Sequence, residues 1–208
     1  MTQSFGRLKE SPSQTAGPYV HIGTNPNWVE IAGVWNDDLG LVLVGEATKG
    51  ERVVLTGRVF DGAGQPLRDA LVEIWQADAD GLHNSPNETR GAADPHFSGW
   101  GRMPTDDRTG EWRFETVKPG RVPYPDGRLQ APHVTVWIVA RGINLGLHTR
   151  LYFGDEGEAN AQDPLLSRVD GPARRETLIA PRTVENGLAV YTFDIHLQGA
   201  RETVFLDI

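Results

Sequence analysis

The residues able to bind a metal or move a proton are scattered. The histidines, His21, His83, His96, His133, His148 and His196, fall in separate stretches of the chain, and none stands in an HExxH pair. There is no cysteine, which removes disulfides, thiolate metal sites and thiol nucleophiles together. No G-x-S-x-G elbow is present and no Ser/His/Asp set stands out. No glycine-rich loop joins a strand to a helix, so nucleotide binding has no support. A lone histidine is ordinarily structural or solvent-facing, so the chemistry has to be sought in a longer pattern.

That pattern runs through most of the chain. It begins with Leu55-x-Gly57-x-Val59, Gly64, Leu67 and the run Val72-Glu73-Ile74-Trp75-Gln76-Ala77-Asp78-Ala79-Asp80-Gly81. Next come Asp94-Pro95-x-Phe97-x-Gly99-x-Gly101-Arg102, Thr105-Asp106, Gly110-Glu111-Trp112-Arg113-Phe114 and Lys118-Pro119-Gly120. Ala131-Pro132-His133, Ala140-Arg141-Gly142-Ile143-Asn144 and Leu147-His148-Thr149-Arg150-Leu151-Tyr152-Phe153 follow. Arg174-Arg175-Glu176-Thr177-Leu178 and Glu202-Thr203-Val204-Phe205 close it. Over this length the chain resembles the intradiol ring-cleavage dioxygenases. The resemblance implies an oxidoreductase that opens a catechol ring with O2.

That family holds ferric iron with two tyrosines and two histidines, and phenolate oxygen suits so hard a cation. The resemblance places the first tyrosine at His83 and the second at Val122, two residues short of Tyr124. It places the His-x-His pair at His133 and Thr135, which point to one side of a strand. Only His133 keeps its type, so the implication is that this chain holds no metal and that His83, Val122, His133 and Thr135 are vestigial positions. This matches the protocatechuate 3,4-dioxygenase branch of the family, in which a beta chain holds the Fe(III) and a homologous alpha chain has lost it. The run Pro12-Ser13-Gln14-Thr15-Ala16-Gly17-Pro18-Tyr19-Val20-His21-Ile22-Gly23 resembles an alpha-chain opening. By position, Thr15, Gly17, Pro18, Tyr19 and Arg141 would line the substrate pocket of a beta partner. Protocatechuate and O2 would be the substrates, 3-carboxy-cis,cis-muconate the product, aromatic catabolism by the beta-ketoadipate route the setting, and a higher oligomer of alpha–beta pairs the assembly. Two other readings stay open: a homo-oligomeric enzyme with an altered metal site at His83 and His133, and a non-catalytic β-sandwich that binds or scaffolds.

The elements that must carry these residues read as strands. Among 208 residues, 24 glycines and 14 prolines mark many turns, and 38% hydrophobic residues are enough for a core. Val53–Phe60, Ala70–Gln76, Glu111–Val117, His133–Ala140, His148–Phe153, Leu188–Leu197 and Thr203–Ile208 read as strands, with Leu41–Val44 as a short extra one. His133–Ala140 is almost continuously apolar, which predicts burial on both faces. Residues 155–170 support one short surface helix. The expected fold is an all-β, antiparallel sandwich over 51–208 with an extended N-terminal arm over 1–50. The arm aromatics Phe5, Tyr19, Trp28 and Trp35 need apolar cover, either on their own domain or, as expected here, on a partner chain. A net charge of -8 argues against nucleic acid and against an anionic membrane surface. The absence of cysteine, of an apolar leader and of any apolar run near the ~20 residues of a membrane span makes a cytoplasmic protein the expectation.

Overall fold

A computed structural model describes residues 15–207; Phe5, Pro12, Ser13, Gln14 and Ile208 lie outside them. The strands are β1 (Arg52–Phe60), β2 (Leu71–Trp75), β3 (Trp100–Pro104), β4 (Glu111–Val117), β5 (His133–Val139), β6 (Leu147–Phe153), β7 (Ile179–Ala180), β8 (Arg182–Glu185), β9 (Leu188–Thr192) and β10 (Ile195–His196). The short helices are α1 (Val20–Thr24), α2 (Gly157–Gln162) and α3 (Pro172–Glu176).

Two sheets face each other. In one, β1 lies between β4 on one side and β9 with β10 on the other, and β8 pairs β9. The other runs β3-β2-β5-β6-β7. Alternation explains the packing: Val53, Leu55, Val59, Trp112 and Phe114 from the first sheet meet Val72, Ile74, Val134, Val136, Ile138, Leu151 and Phe153 from the second. Gln76 is buried between the layers, accepting from the Thr116 hydroxyl (2.9 Å) and donating to the Val117 carbonyl (2.9 Å). A polar side chain in an apolar interior is tolerable only when satisfied in this way. A smaller cluster, Ala131, Tyr152, Leu166, Leu178 and Val204, packs against the outer side of the second sheet.

The sandwich is as expected, with differences of detail. The sheets are mixed, because β1 pairs β9 and β10 in parallel and β6 pairs β7 in parallel. Leu188–Leu197 is interrupted at Phe193–Asp194, which divides it into β9 and β10. Thr203–Phe205 and the residues up to Asp207 form no strand: they run beside β6 with isolated bonds such as Leu206 N–H to the His148 carbonyl (2.8 Å). Leu41–Val44 contributes one bridge, Val44 to Phe97. β3, β7 and β8 carry no strong alternating signal, and pairing with neighbours makes them strands. α1 and α3 join the expected surface helix, α2. β5 is buried on one face only, because His133, Thr135, Trp137 and Val139 point away from the sandwich interior and are partly exposed.

The interruption between β9 and β10 dictates a residue in β1. Phe193 N–H donates to the Thr56 carbonyl (2.7 Å), and the Asp194 side chain accepts from Arg58 N–H (3.0 Å). A Cβ on Gly57 would lie 2.0 Å from the Phe193 carbonyl oxygen, so no side chain fits there without moving backbone. Gly57→Ala is therefore expected to destabilise the chain by about 2–3 kcal/mol, read as a drop of roughly 5–10 °C in Tm by thermal denaturation. A Tm within a degree of the parent would show that the backbones separate freely.

Candidate functional site

Cross-strand pairing lays out the outer face of the second sheet in rows. Trp100 pairs Trp75, Trp75 pairs Thr135, and Thr135 pairs Arg150. The next row is Arg102, Glu73, Trp137 and His148. Directly opposed residues share a face, so the position of Thr135 is flanked by an indole and a guanidinium. Arg102 covers the Trp100 ring at 4.9 Å and bonds Glu73 at 2.6 Å. His83 reaches this face from a loop and stacks on Trp75 with centroids 5.7 Å apart. That loop is shaped by buried Asp78, which accepts from Asp80 N–H, Leu82 N–H and Asp94 N–H.

His133 occupies the start of β5. Its Nδ1 donates to the Ala131 carbonyl (2.8 Å), which leaves Nε2 as the free lone pair. Burial first, and then the Arg150 cation, hold its pKa down to about 4. His83 is lowered in the same sense, by burial foremost and against the pull of Glu88. Beside His133 stands Tyr152, tilted with centroids 5.8 Å apart. Its phenol is held well above the ordinary value, by burial and then by the charge of Asp163, to which its hydroxyl donates (3.2 Å).

Ferric iron does not fit these residues. The structure brings His83, His133 and Thr135 to one face, but the donors beside them are wrong. Tyr152 turns its hydroxyl to Asp163 (3.2 Å), and Arg150 places a permanent positive charge opposite Thr135, its Nη1 donating to Gln130 Oε1 at 2.6 Å and its buried Nε without a partner. Tyr124 points elsewhere: its hydroxyl accepts from Arg168 (3.0 Å) in a surface cleft with Leu165 and Val204. The Val122 carbonyl accepts from Gln130 N–H (2.9 Å). Among the described residues no three His, Cys, Asp or Glu side chains group as a metal site. Sequence reading missed Arg150, Gln130 and Tyr152. Arg150 and Tyr152 were recoverable from period-two spacing along β6, whereas nothing in the sequence announces Gln130.

Of the remaining predicted residues, Arg141 and Thr15 meet at the other end of β5. Thr15 Oγ1 accepts from Gly142 N–H (2.9 Å), which brings the arm beside the turn that carries Arg141. Gly142 sits at φ +85°, the left-handed conformation this turn needs. Gly17 and Pro18 lead into α1, and Tyr19 is 76% exposed. Further along, Leu43 is buried in the sandwich and Gly40 accepts from Arg102 N–H (2.9 Å), while Trp28, Ile31, Val34, Trp35, Leu39 and Val42 stay exposed.

Comparison with known proteins identifies the family. Residues 24–199 match the family model described as "Dioxygenase". The chain belongs to the intradiol dioxygenase family. Within that family it is 46% identical over 207 residues to the protocatechuate 3,4-dioxygenase alpha chain of Pseudomonas putida, covering 96% of this chain and 97% of that one. It is 37% identical over 161 residues to the protocatechuate 3,4-dioxygenase beta chain of Burkholderia cepacia, covering 74% of this chain and 67% of the other. Among solved structures, the dioxygenase domain of a carbohydrate-binding fusion from Streptomyces sp. SirexAA-E superposes with a TM-score of 0.57 at 29% identity, covering 77% of this chain and 88% of that one.

The depressed pKa of His133 sets a pH dependence for this intradiol dioxygenase chain. Unfolding lets His133 take up a proton that the folded state refuses, so stability should fall as pH drops from the ordinary 6.5 towards about 4. His21, His83 and His196 are lowered too and act in the same direction. His133→Gln should flatten this slope by roughly 1–3 kcal/mol across the window, measured by urea denaturation at several pH values. An unchanged slope would mean that His133 is protonated in the folded state.

Proposed function

We propose that this chain is the iron-free alpha subunit of a protocatechuate 3,4-dioxygenase. The end-to-end likeness to alpha chains carries the reading, and the altered metal positions support it. The alpha–beta complex cleaves protocatechuate with O2 between its two hydroxyl-bearing carbons, giving 3-carboxy-cis,cis-muconate. Fe(III) belongs to the beta chain and supplies the charge stabilisation of the bound catecholate.

This chain's part is to wall the pocket. Residues 1–50 are the arm that docks on the beta chain, and 51–208 are the sandwich from which it extends. Gly17 and Pro18 shape backbone without adding bulk, Thr15 and Tyr19 offer hydroxyls, and Arg141 offers a permanently charged fork to the substrate carboxylate. Holding the substrate in one pose removes motion that the reaction would otherwise have to freeze out. The exposed aromatic and aliphatic side chains of the arm are the kind of surface that a partner covers. Assembly into higher oligomers of alpha–beta pairs and a cytoplasmic location complete the proposal. No helix among the described residues is long and apolar enough to cross a membrane.

Metal analysis of the chain produced alone and together with a beta chain tests the assignment. The expected result is colourless, iron-free protein alone and stoichiometric ferric iron in the complex; stoichiometric iron in the chain alone would overturn it. In the complex, Arg141→Ala is expected to lower kcat/KM by roughly tenfold or more with iron content unchanged, as read by steady-state kinetics on protocatechuate. Unaltered kinetics would remove Arg141 from the pocket.

A further inference from the structure

Arg141 does not stand free at the end of its strand. Its Nη2 lies 2.5 Å from Asp69 Oδ2, a charge contact rather than an aligned hydrogen bond, since that buried oxygen has no hydrogen-bond partner, and the two side chains differ in exposure, 62% for Arg141 and 11% for Asp69. The carboxylate is thus the more enclosed group and the guanidinium the more exposed one. The ladder explains their meeting. Leu71 in β2 opposes Val139 in β5, and continuing the antiparallel count past both ends brings Asp69 opposite Arg141. The backbone beside Arg141 is held as well, because Gly142 N–H donates to Thr15 Oγ1. On the arm side, His21 in α1 feels the charge of Asp69, and its buried Nδ1 has no hydrogen-bond partner. Asp69, Arg141, Thr15 and His21 therefore gather at one end of the second sheet, where the arm meets the sandwich.

A long exposed arginine visits several rotamers, and a single carboxylate contact selects among them while leaving the other N–H donors of the fork unused. We propose that Asp69 is a positioning residue, which aims Arg141 at the carboxylate of the substrate in the pocket of the partner chain. The inference rests on the pocket-wall role of Arg141 given above. It adds a residue that touches neither substrate nor iron and that works through Arg141. Asp69 also sets a charge balance: it lies against one nitrogen of a guanidinium whose side chain is 62% exposed.

The test is a double-mutant cycle in the alpha–beta complex, with Asp69→Asn, Arg141→Ala and both together, followed by steady-state kinetics on protocatechuate. Asp69→Asn keeps the shape and removes the charge. It is expected to lower kcat/KM by about three- to tenfold, chiefly through KM, and to have no further effect once Arg141 is alanine. Asp69→Glu, which keeps the charge, should recover part of the loss. Tm and alpha–beta association, checked by gel filtration, should match the parent. If Arg141→Ala impairs the enzyme while Asp69→Asn does not, or if the two losses simply add, the positioning role is wrong and the pocket wall stands. If Arg141→Ala itself leaves kinetics unchanged, the pocket-wall role of Arg141 fails and this inference falls with it.

Discussion

A carboxylate shut away from water must take its hydrogen bonds from the protein, and Asp163 takes them from three parts of the chain at once. Ala131 N–H donates at 2.8 Å, Leu165 and Leu166 N–H at 2.9 and 2.7 Å, and the Tyr152 hydroxyl at 3.2 Å. Loss of that acceptor would leave each of those donors unpaired, at a cost of about 1–3 kcal/mol apiece. The same bonds fix the approach to β5. Ala131 is held at its N–H by Asp163 and at its carbonyl by the His133 ring. The register of β5 against β6, and so the whole row arrangement of the outer face, starts from this point.

The outer face also explains how a sheet keeps its form while its chemistry changes. The sandwich interior is made by the opposite faces of the same strands, by Val134, Val136 and Ile138 rather than by His133, Thr135 and Trp137. Side chains on the outer face can therefore be exchanged without emptying the core. What they cannot do is mix charges freely. A guanidinium opposite Thr135 and a protonated phenol opposite His133 make a neutral or cationic surface, and a trivalent cation needs anionic donors.

Much of this was legible in the sequence, and the exceptions have physical causes. Glu111–Val117 alternates cleanly because one face meets the core and the other meets water, and β4 spans those residues. His133–Val139 misled about its second face, because valine and tryptophan on a partly exposed surface read the same as valine and tryptophan in a core. The break at Phe193–Asp194 was hidden, since both flanks are good strand formers and its bonds run to Thr56 and Arg58 in the distant β1. His83, His133 and Thr135 lie on one face, and Thr15 meets the turn after Arg141. Their polar neighbours did not show, because Asp69, Gln130 and Asp163 reach their partners across loops that no local pattern encodes.

The parallel pairing of β1 with β9 and β10 has a consequence for how this chain is made. The bond from Arg58 to Asp194 spans 136 residues. A ribosome adding about 5–20 residues each second needs on the order of ten seconds to cover that distance. During that interval β1 has β4 on one side and bare backbone N–H and C=O groups on the other. Such an edge is a template for whatever extended strand comes near. Pairings this distant in sequence also slow the search for the native state once synthesis ends. The last two strands to emerge, β9 and then β10, are thus the ones that close the free side of β1, and loss of the C-terminal fifth of the chain would leave the first sheet open along that strand.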